Sequence, residues 1–529
     1  MKLRIVITLL LIFIGSASFS EEKELKSITE NELKAHLEFI AIDYMQGRDF
    51  GTPIPGLEIT AEYLKSQCLG MGLKPGQDNF SQTIKMVAIQ SDNQNTFLKL
   101  KDTNGNEKYK SAEIVSFPGS VGNDTIKTSV VFAGYGYESK DGDYNDFDGI
   151  DITGKTVMIM TRNREMAMET DSNTDITNTE MAKLARIFMS GAKAIIYVSD
   201  PLNTDKSWFE MVNDYALEGT YQLEGAENFE MPGSIILANN KTANAILQGS
   251  GKTLEEVQQE INESGKPNSF EVQNVVAEIQ LVKKSQIVQG ENIIGIIEGS
   301  DPKLKNECVV LTAHYDHIGI TSKGEINNGA DDNGSGTVAL LEIAEAFSQM
   351  KKKPRRSIVF AWVTAEEKGL VGSEFYTLNP VFPLENTVAN INLDMVGRSA
   401  DKELEKVDDP EKSLAGPNGI YIITGDRSSE LTEISNKISK KLGLIPSDAL
   451  TDEFMSSSDQ YNFYKNGIPV IAVSTGLHDD YHKPGDDFVK IDYHKMKRIC
   501  DYTFLVVNEV ANRKQRLVLD KNPEKITLY

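Results

Sequence analysis

The sequence predicts an α/β protein: a doubly wound, mixed but mainly parallel sheet, interrupted by an inserted α+β segment. Three observations carry that expectation. Between about residues 285 and 515, compact apolar runs alternate with helical stretches, the pattern of a parallel sheet covered by helices on both faces. The helical stretches before residue 75 are too few to enclose a core, so they need the later sheet to cover them. From about residue 95 the texture changes to short β-rich runs between loops rich in Asn and Asp, which reads as a separate unit. The expected boundaries are a leader at 1–20, the first part of the main domain at 25–95, the insert at 96–284, the second part at 285–515 and a tail at 516–529.

In chain order, Lys2 and Arg4 precede the apolar run Ile5 to Ile14, followed by Gly15 and the small residues Ser16, Ala17, Ser18 and Ser20. This is the pattern of a secretory signal peptide. The run is far short of the roughly 20 residues that span a bilayer. The expectation is cleavage near Ser20 and export to a periplasmic or extracellular location, with no membrane anchor, since no cysteine stands at the cleavage site to carry a lipid. Thr29 to Glu32 reads as a capping box ahead of Leu33, Leu37 and Ile40 at helical spacing, and His36 on that helix reads as structural. A loop with Gly47, Gly51, Pro53, Pro55 and Gly56 leads to a second helix, Leu57 to Leu69, closed by Gly70, Gly72 and Pro75. The insert offers strands at Thr128–Phe132, Thr156–Met160 and Ala194–Val198. Its loop Asp141–Asp151 lacks the Gly and Glu spacing of an EF-hand and reads as solvated. The main domain resumes with strands at Cys308–Leu311, Ile358–Val363, Val388–Leu393 and Ile468–Val473, and with helices at Gly336–Met350 and Tyr493–Asn512.

Composition bounds the chemistry. The 529 residues carry 55 Lys and Arg against 78 Asp and Glu, a formal charge of −23, so nucleic acid and anionic membranes are poor partners. Three dispersed cysteines, Cys68, Cys308 and Cys500, make neither a disulfide scaffold nor a cysteine-held zinc site.

The informative residues follow the apolar runs. His314 lies three positions beyond Leu311, Glu366 and Glu367 lie three and four beyond Val363, and Asp394 follows Leu393 directly. In open α/β sheets, ligands bind at the carboxyl ends of the strands, so these side chains should converge. Asp332, just before the helix from Gly336, and His482, after the last strand, join them. A set of imidazoles and carboxylates without thiols suits zinc or a similar divalent ion. So many carboxylates in one crevice repel one another unless cations relieve them.

At these residues the sequence resembles the di-zinc aminopeptidases, a family of zinc exopeptidases with a phosphorylase/hydrolase-like fold that also includes glutamate carboxypeptidases and the transferrin-receptor ectodomain. The matching stretches are AHYDH (313–317), GADDNGSG (329–336), AEEKGLVGSEF (365–375), NLDMVGR (392–398) and YHKPGDD (481–487). The opening GRDFGTP and GLEITAEYL resemble the family's amino-terminal segment, and the insert resembles its protease-associated domain. The resemblance implies two Zn2+ ions bridged by Asp332, with His314 and Asp394 completing one site and Glu367 and His482 the other. It further implies that Glu366 is the free carboxylate acting as general base, that a hydroxide bridging the metals attacks the peptide bond, and that Asp316 orients a ligating imidazole. A cis peptide between Asp332 and Asn333 is implied too. Tyr481 stands either as an oxyanion donor, by similarity, or as a packing residue. His317, His478 and His494 are left to structural, surface or substrate-contacting roles. In SSDQ (457–460), Gln460 stands where many relatives have His.

Rival readings are a serine hydrolase on AVSTG (472–476), which lacks the first Gly of the nucleophile elbow, a single-zinc glutaminyl cyclase, a glutamate-type carboxypeptidase, and a receptor-like relative without catalysis. The favoured expectation is a zinc aminopeptidase acting on peptides, preferring neutral or basic amino-terminal residues to acidic ones, because the negative field repels acidic peptides and the metal-site loops offer only Lys368, Arg398 and Lys483 as cations.

Overall fold

The computed structural model describes residues 23–520, apart from 118–119, 121–124, 140–141, 163–175, 204–206, 227–231, 322, 405, 408–409 and 426. The expected signal peptide and the end of the expected tail lie outside the described residues. The chain divides into two compact units, one running up to Lys85 and resuming at Gln289, the other spanning Met86–Val288.

The first unit is α/β. Its main elements are α1 (Glu30–Ile40), α2 (Gly56–Gly70), β1 (Lys283–Ile297, whose second half belongs to this unit), β2 (Cys308–His314), α3 (Gly336–Gln349), β3 (Ser357–Val363), α4 (Val371–Leu378), β4 (Thr387–Leu393), β5 (Gly419–Ile423), α5 (Ser429–Lys441), β6 (Ile445–Ser447), α6 (Gln460–Lys465), β7 (Val470–Ser474) and α7 (Tyr493–Asn512). The strands lie in the order β6, β5, β7, β4, β2, β3, β1. Neighbours from β7 through β4 and β2 to β3 run parallel, while β1 against β3 and β5 against β7 run antiparallel, so the sheet is mixed with a parallel centre.

Alternation along the central strands sends successive side chains to opposite faces. Val309, Leu311, Phe360, Trp362, Ile391 and Leu393 face the core built with α1, α2, α3, α5 and α7. Val310, Val359, Ala361 and Val363 face the other core, with Tyr376 of α4 and Phe463 of α6. Both faces are covered, which is why every residue of β2, β3 and β4 is buried and the strands are mostly apolar, while the buried Thr312, Asn390 and Asn392 are joined by hydrogen bonds. Helix α1 has 11 residues, too few to hold in isolation. Its Leu33, Leu37 and Ile40 are fully buried in the shared core, each worth roughly 2 kcal/mol. Its N-cap, Thr29, accepts the N–H of Glu32 at 3.1 Å. The other half of the expected capping box is replaced by a long-range contact, because the N–H of Thr29 donates to Glu342 of α3 at 3.3 Å.

The second unit holds a parallel set, Thr125–Phe132, Thr156–Met160, Ala194–Val198 and Ser234–Ala238 in that spatial order, with antiparallel strands outside it. One expectation fails here. The loop around Asp141–Asp151 is not solvated at its centre: Asp146 is fully buried and accepts the N–H groups of Tyr135 and Tyr137 and the hydroxyl of Tyr144. Burial pushes its carboxyl up to about 6.

Candidate metal centre

The site forms at the carboxyl ends of β2, β3, β4 and β7. His314 is the last residue of β2. Beyond β3 the chain turns sharply, with Ala365 at φ 54° immediately before Glu366 and Glu367. Beyond β4, Met395 at φ 55° follows Asp394, and His482 itself sits at φ 55°. Left-handed backbone at non-glycine residues costs of order 1–3 kcal/mol and clusters at functional sites. Asp332 precedes α3, and its peptide with Asn333 is cis. Asn333 ties that loop down, its amide nitrogen donating to the carbonyl of Leu393 at 2.9 Å and its oxygen accepting the N–H of Gly336 at 2.9 Å. A Cβ on Gly336 would fall 2.3 Å from that oxygen and 2.4 Å from the Leu393 carbonyl, so only glycine fits.

The side chains expected to converge do so. Nε2 of His314 lies 3.5 Å from Asp332 Oδ1 and 3.4 Å from Asp394 Oδ1. Nε2 of His482 lies 3.1 Å from Asp332 Oδ2 and 3.3 Å from Glu367 Oε2. Asp332 thus presents one oxygen to each of two clusters. Glu366 Oε2 stands 3.8 Å from His314 Nε2, farther than either of that imidazole's other partners. Nε2 of His314, Nε2 of His482 and Oδ1 of Asp394 are buried and accept or donate no hydrogen bond. Orphaned imidazole nitrogens aimed at carboxylates are poor hydrogen-bonding design and good ligand design, so this donor set fits divalent metal ions.

Electrostatics agrees with that chemistry. Burial would lower the pKa of His482, but Glu367 and Asp332 push it up to about 10. Glu366 is held well above the ordinary carboxyl range by burial, opposed by His314 and reinforced by Glu367 and Asp394. Glu367 goes the other way: burial pushes it up, but His482 and His317 hold it well below the ordinary range. Adjacent glutamates on one turn are thereby given opposite tendencies.

Asp316 meets the imidazole of His314 through its backbone carbonyl and has a second task through its carboxylate. Nδ1 of His314 lies 3.2 Å from the Asp316 backbone carbonyl and 3.8 Å from its carboxylate. The two carboxylate oxygens instead accept the N–H groups of Glu366 and Glu367, each at 3.2 Å. Asp316 therefore fixes the turn that carries both glutamates, and burial pushes its pKa to about 7.

Several residues had no signal in the sequence or a misleading one. Arg48 is fully buried and donates to the carbonyls of Ile40, Tyr315, Asn328 and Gly329, stitching the end of α1 to the loops that carry His314 and Asp332. Its membership of GRDFGTP was the available clue. Asp459, fully buried between Ser458 and Gln460, is pushed to about 6 by burial and acts electrostatically on His314 and Asp394. It sat in SSDQ, where attention fell on Gln460. That Gln460 is buried, accepts from Asn392 and donates to the carbonyls of Phe454 and Met455. His317 is buried beside Glu367, His478 is buried 3.3 Å from Asp331, and His494 is exposed and pairs with Glu30. His36 is structural, held between Tyr63 and Glu342. Ser474 of the weak elbow motif lines the pocket, and no helix follows it directly.

A pocket leads to the site. Asp332, Glu366, Glu367, Asp394 and Tyr481 line it, together with the apolar Met395, Ile423, Leu450, Phe454 and Leu477 and the polar Ser457, Ser458, Gln460 and Ser474. Among the described residues no Lys or Arg lines it. Lys368 pairs with Asp49, Arg398 with Asp480 and Asp486, and Lys483 donates to the carbonyl of Asp479. The Tyr481 ring stacks on His482 at 3.9 Å between centroids.

Comparison with known proteins agrees with this architecture. The chain is 30% identical over 235 residues to aminopeptidase YwaD of Bacillus subtilis, covering 43% of this chain and 46% of that one. It is 31% identical over 202 residues to aminopeptidase Y of Saccharomyces cerevisiae, covering 36% and 31%. The chain thus spans less than half the length of these relatives. In fold it resembles an aminopeptidase from Aneurinibacillus sp. strain AM-1, with a TM-score of 0.58 at 18% identity over 95% of this chain and 98% of that one. It likewise resembles BSAP, a zinc aminopeptidase from Bacillus subtilis, with a TM-score of 0.54 at 18% identity over 94% and 98%. Residues 292–507, which carry the central sheet and every one of the converging side chains described above, match the model of peptidase family M28.

Proposed function

We propose that the chain is an exported two-zinc aminopeptidase. The observation that carries this reading is the single carboxylate, Asp332, shared between two histidine–carboxylate clusters beside a further carboxylate, Glu366. In this reading Asp332 would serve both metal positions, His314 and Asp394 would hold one ion with it, and Glu367 and His482 the other. The family and the aminopeptidase relatives support zinc as the metal, and the unit Met86–Val288 corresponds to the protease-associated insert. Export rests on the leader pattern at residues 1–20. No helix among the described residues is long and apolar enough to cross a membrane.

Bound zinc would polarise the scissile carbonyl and make a nearby water more acidic. The chain's own groups do the rest. Glu366, buried and poised high, takes the proton from the attacking water and delivers it to the leaving amine. Asp316 holds the turn so that Glu366 and Glu367 keep separate directions. The Tyr481 phenol, pushed well above its ordinary range by burial and the surrounding carboxylates, stays protonated and can donate to the developing oxyanion. The apolar remainder of the pocket receives a neutral, apolar amino-terminal side chain. That narrows the expectation of neutral or basic ends, and the absence of a lining cation argues against a carboxypeptidase taking terminal glutamate.

The test compares hydrolysis of leucyl amide, lysyl amide and an amino-blocked aspartyl-glutamate, with zinc and with a chelator. The leucyl substrate should be cleaved fastest and only with zinc. Faster cleavage of the blocked acidic dipeptide would turn the assignment to a carboxypeptidase, and no turnover of any peptide with zinc bound would favour a receptor-like protein. Glu366→Gln should lower kcat by about 10²–10⁴-fold with zinc content unchanged. Loss of zinc in that variant would make Glu366 a ligand.

A further inference from the structure

His317 is the one imidazole at the metal centre to which the two-zinc reading gives no part, yet its surroundings are the most constrained. Its side chain is fully buried, with Nδ1 2.9 Å from Glu367 Oε1 and 3.8 Å from Asp332 Oδ2. Since Nδ1 faces a carboxylate, it carries the proton and donates. The backbone is pinned, because the N–H of His317 donates to the carbonyl of Arg48 at 3.1 Å. The ring is backed by Gly329, where a Cβ would fall 2.4 Å from the ring's Cγ, and it meets the His482 ring edge-on at 5.8 Å between centroids. Its location is therefore set independently of Glu367.

We propose that His317 is the positioning residue of the second metal site: by engaging Oε1 of Glu367 it fixes the rotation of that carboxylate, so that Oε2 is the oxygen turned toward His482 and Asp332. The observed division supports this directly, since Oε1 meets His317 while Oε2 lies 3.3 Å from His482 Nε2. A glutamate on a turn has three side-chain torsions, and the bond that the Glu367 N–H donates to the Asp316 carboxylate holds only its backbone. Without His317 the carboxylate would be free to rotate, and most rotations would turn neither oxygen toward His482 and Asp332. Hydrogen-bonding partners of ligating carboxylates typically contribute 10- to 100-fold in metal affinity.

This inference rests on the two-zinc reading, and the experiment separates the two. Zinc is titrated into the metal-free full-length chain against a chromophoric chelator, for wild type, His317→Leu, His317→Asn and His482→Ala. Expected are two equivalents for wild type and an intact first equivalent in every variant. The second should be weakened about 10- to 100-fold in His317→Leu, retained within a few-fold in His317→Asn, whose amide N–H stands in for Nδ1–H, and abolished in His482→Ala. If His317→Leu does not fold, His317→Phe keeps ring volume against Gly329 without the donor and carries the same expectation. Unchanged second-site affinity in His317→Leu or its Phe substitute overturns the proposal. Equal loss in His317→Asn and His317→Leu overturns it as well, since the imidazole would then act as a ligand. A wild-type chain that takes up one equivalent overturns the two-zinc reading and this proposal with it.

Discussion

Replacing Arg48 by Met tests whether the amino-terminal segment is a structural part of the metal centre. The guanidinium makes hydrogen bonds of 2.9 Å to Ile40, 2.9 Å to Tyr315, 2.7 Å to Asn328 and 2.8 Å to Gly329, all to backbone carbonyls. Bonds from a charged donor contribute about 1.5–3 kcal/mol each, and methionine would remove all four, leaving only the Gly329 carbonyl with another partner, the N–H of Gly334. Against this, the charge no longer has to be desolvated. Burial pulls Arg48 down from 12.5 to about 10, so at 1.36 kcal/mol per unit roughly 3 kcal/mol is recovered. The net loss is about 3–9 kcal/mol. With a urea dependence of about 3 kcal/mol per molar, the unfolding midpoint of this unit should fall by about 1–3 M. Trp362, buried in β3, reports that transition by fluorescence in a Trp208→Phe background, since the chain has 2 tryptophans. Arg48→Lys should be intermediate, because a single ammonium cannot reach four carbonyls spread around a planar fork. A midpoint shift below about 0.3 M in Arg48→Met, roughly 1 kcal/mol on the same slope, would refute the reasoning.

Asp146→Asn should change how stability of the second unit depends on pH. The folded pKa of Asp146, about 6, lies above the ordinary 3.8, so the folded state holds a proton the unfolded chain releases. The stability linked to that proton is full below about pH 4 and is lost as pH rises through 6, a decline of roughly 3 kcal/mol. The variant should lack this decline when unfolding is followed by Trp208 fluorescence between pH 4.5 and 7.5, and an unaltered slope would contradict the assignment. Cys68, Cys308 and Cys500 are buried, and burial pushes Cys68 and Cys308 up to about 12, so a thiol reagent should find none in the native protein and all three after denaturation. A thiol that reacts rapidly in the folded chain would show that its core opens.

Sequence alone was enough for those parts of the molecule whose physics is local or periodic. The central strands announced themselves because burial on both faces keeps β2, β3 and β4 mostly apolar, and α7 was legible end to end from its helical periodicity. Residues placed directly after such strands, His314, Glu366, Glu367 and Asp394, were legible for the same reason: a strand's carboxyl end is defined once the strand is. The edge of the sheet was less visible. β5 and β6 are short, and α5 gives its burial to Leu431, Ile434 and Ile438 against other helices rather than to a motif. The buried Asp146 was misread because three tyrosine groups that satisfy it come from backbone and side chain on both sides of a turn, which composition does not register.

What only the tertiary structure decided is which atom faces which. Arg48 reaches carbonyls up to 281 positions away, Asp316 meets the imidazole of His314 through its carbonyl while its carboxylate holds the backbone of the two glutamates, and His317 meets Glu367 across 50 positions. Asp459 acts on the site through space from within a helix-capping segment. Such contacts depend on side-chain torsions and on loops brought together by the sheet, and neither leaves a period in the sequence. Residue types and strand ends are encoded one neighbourhood at a time, whereas the division of labour between Glu366 and Glu367 exists only once burial, like charge and two imidazoles act on both carboxylates at once.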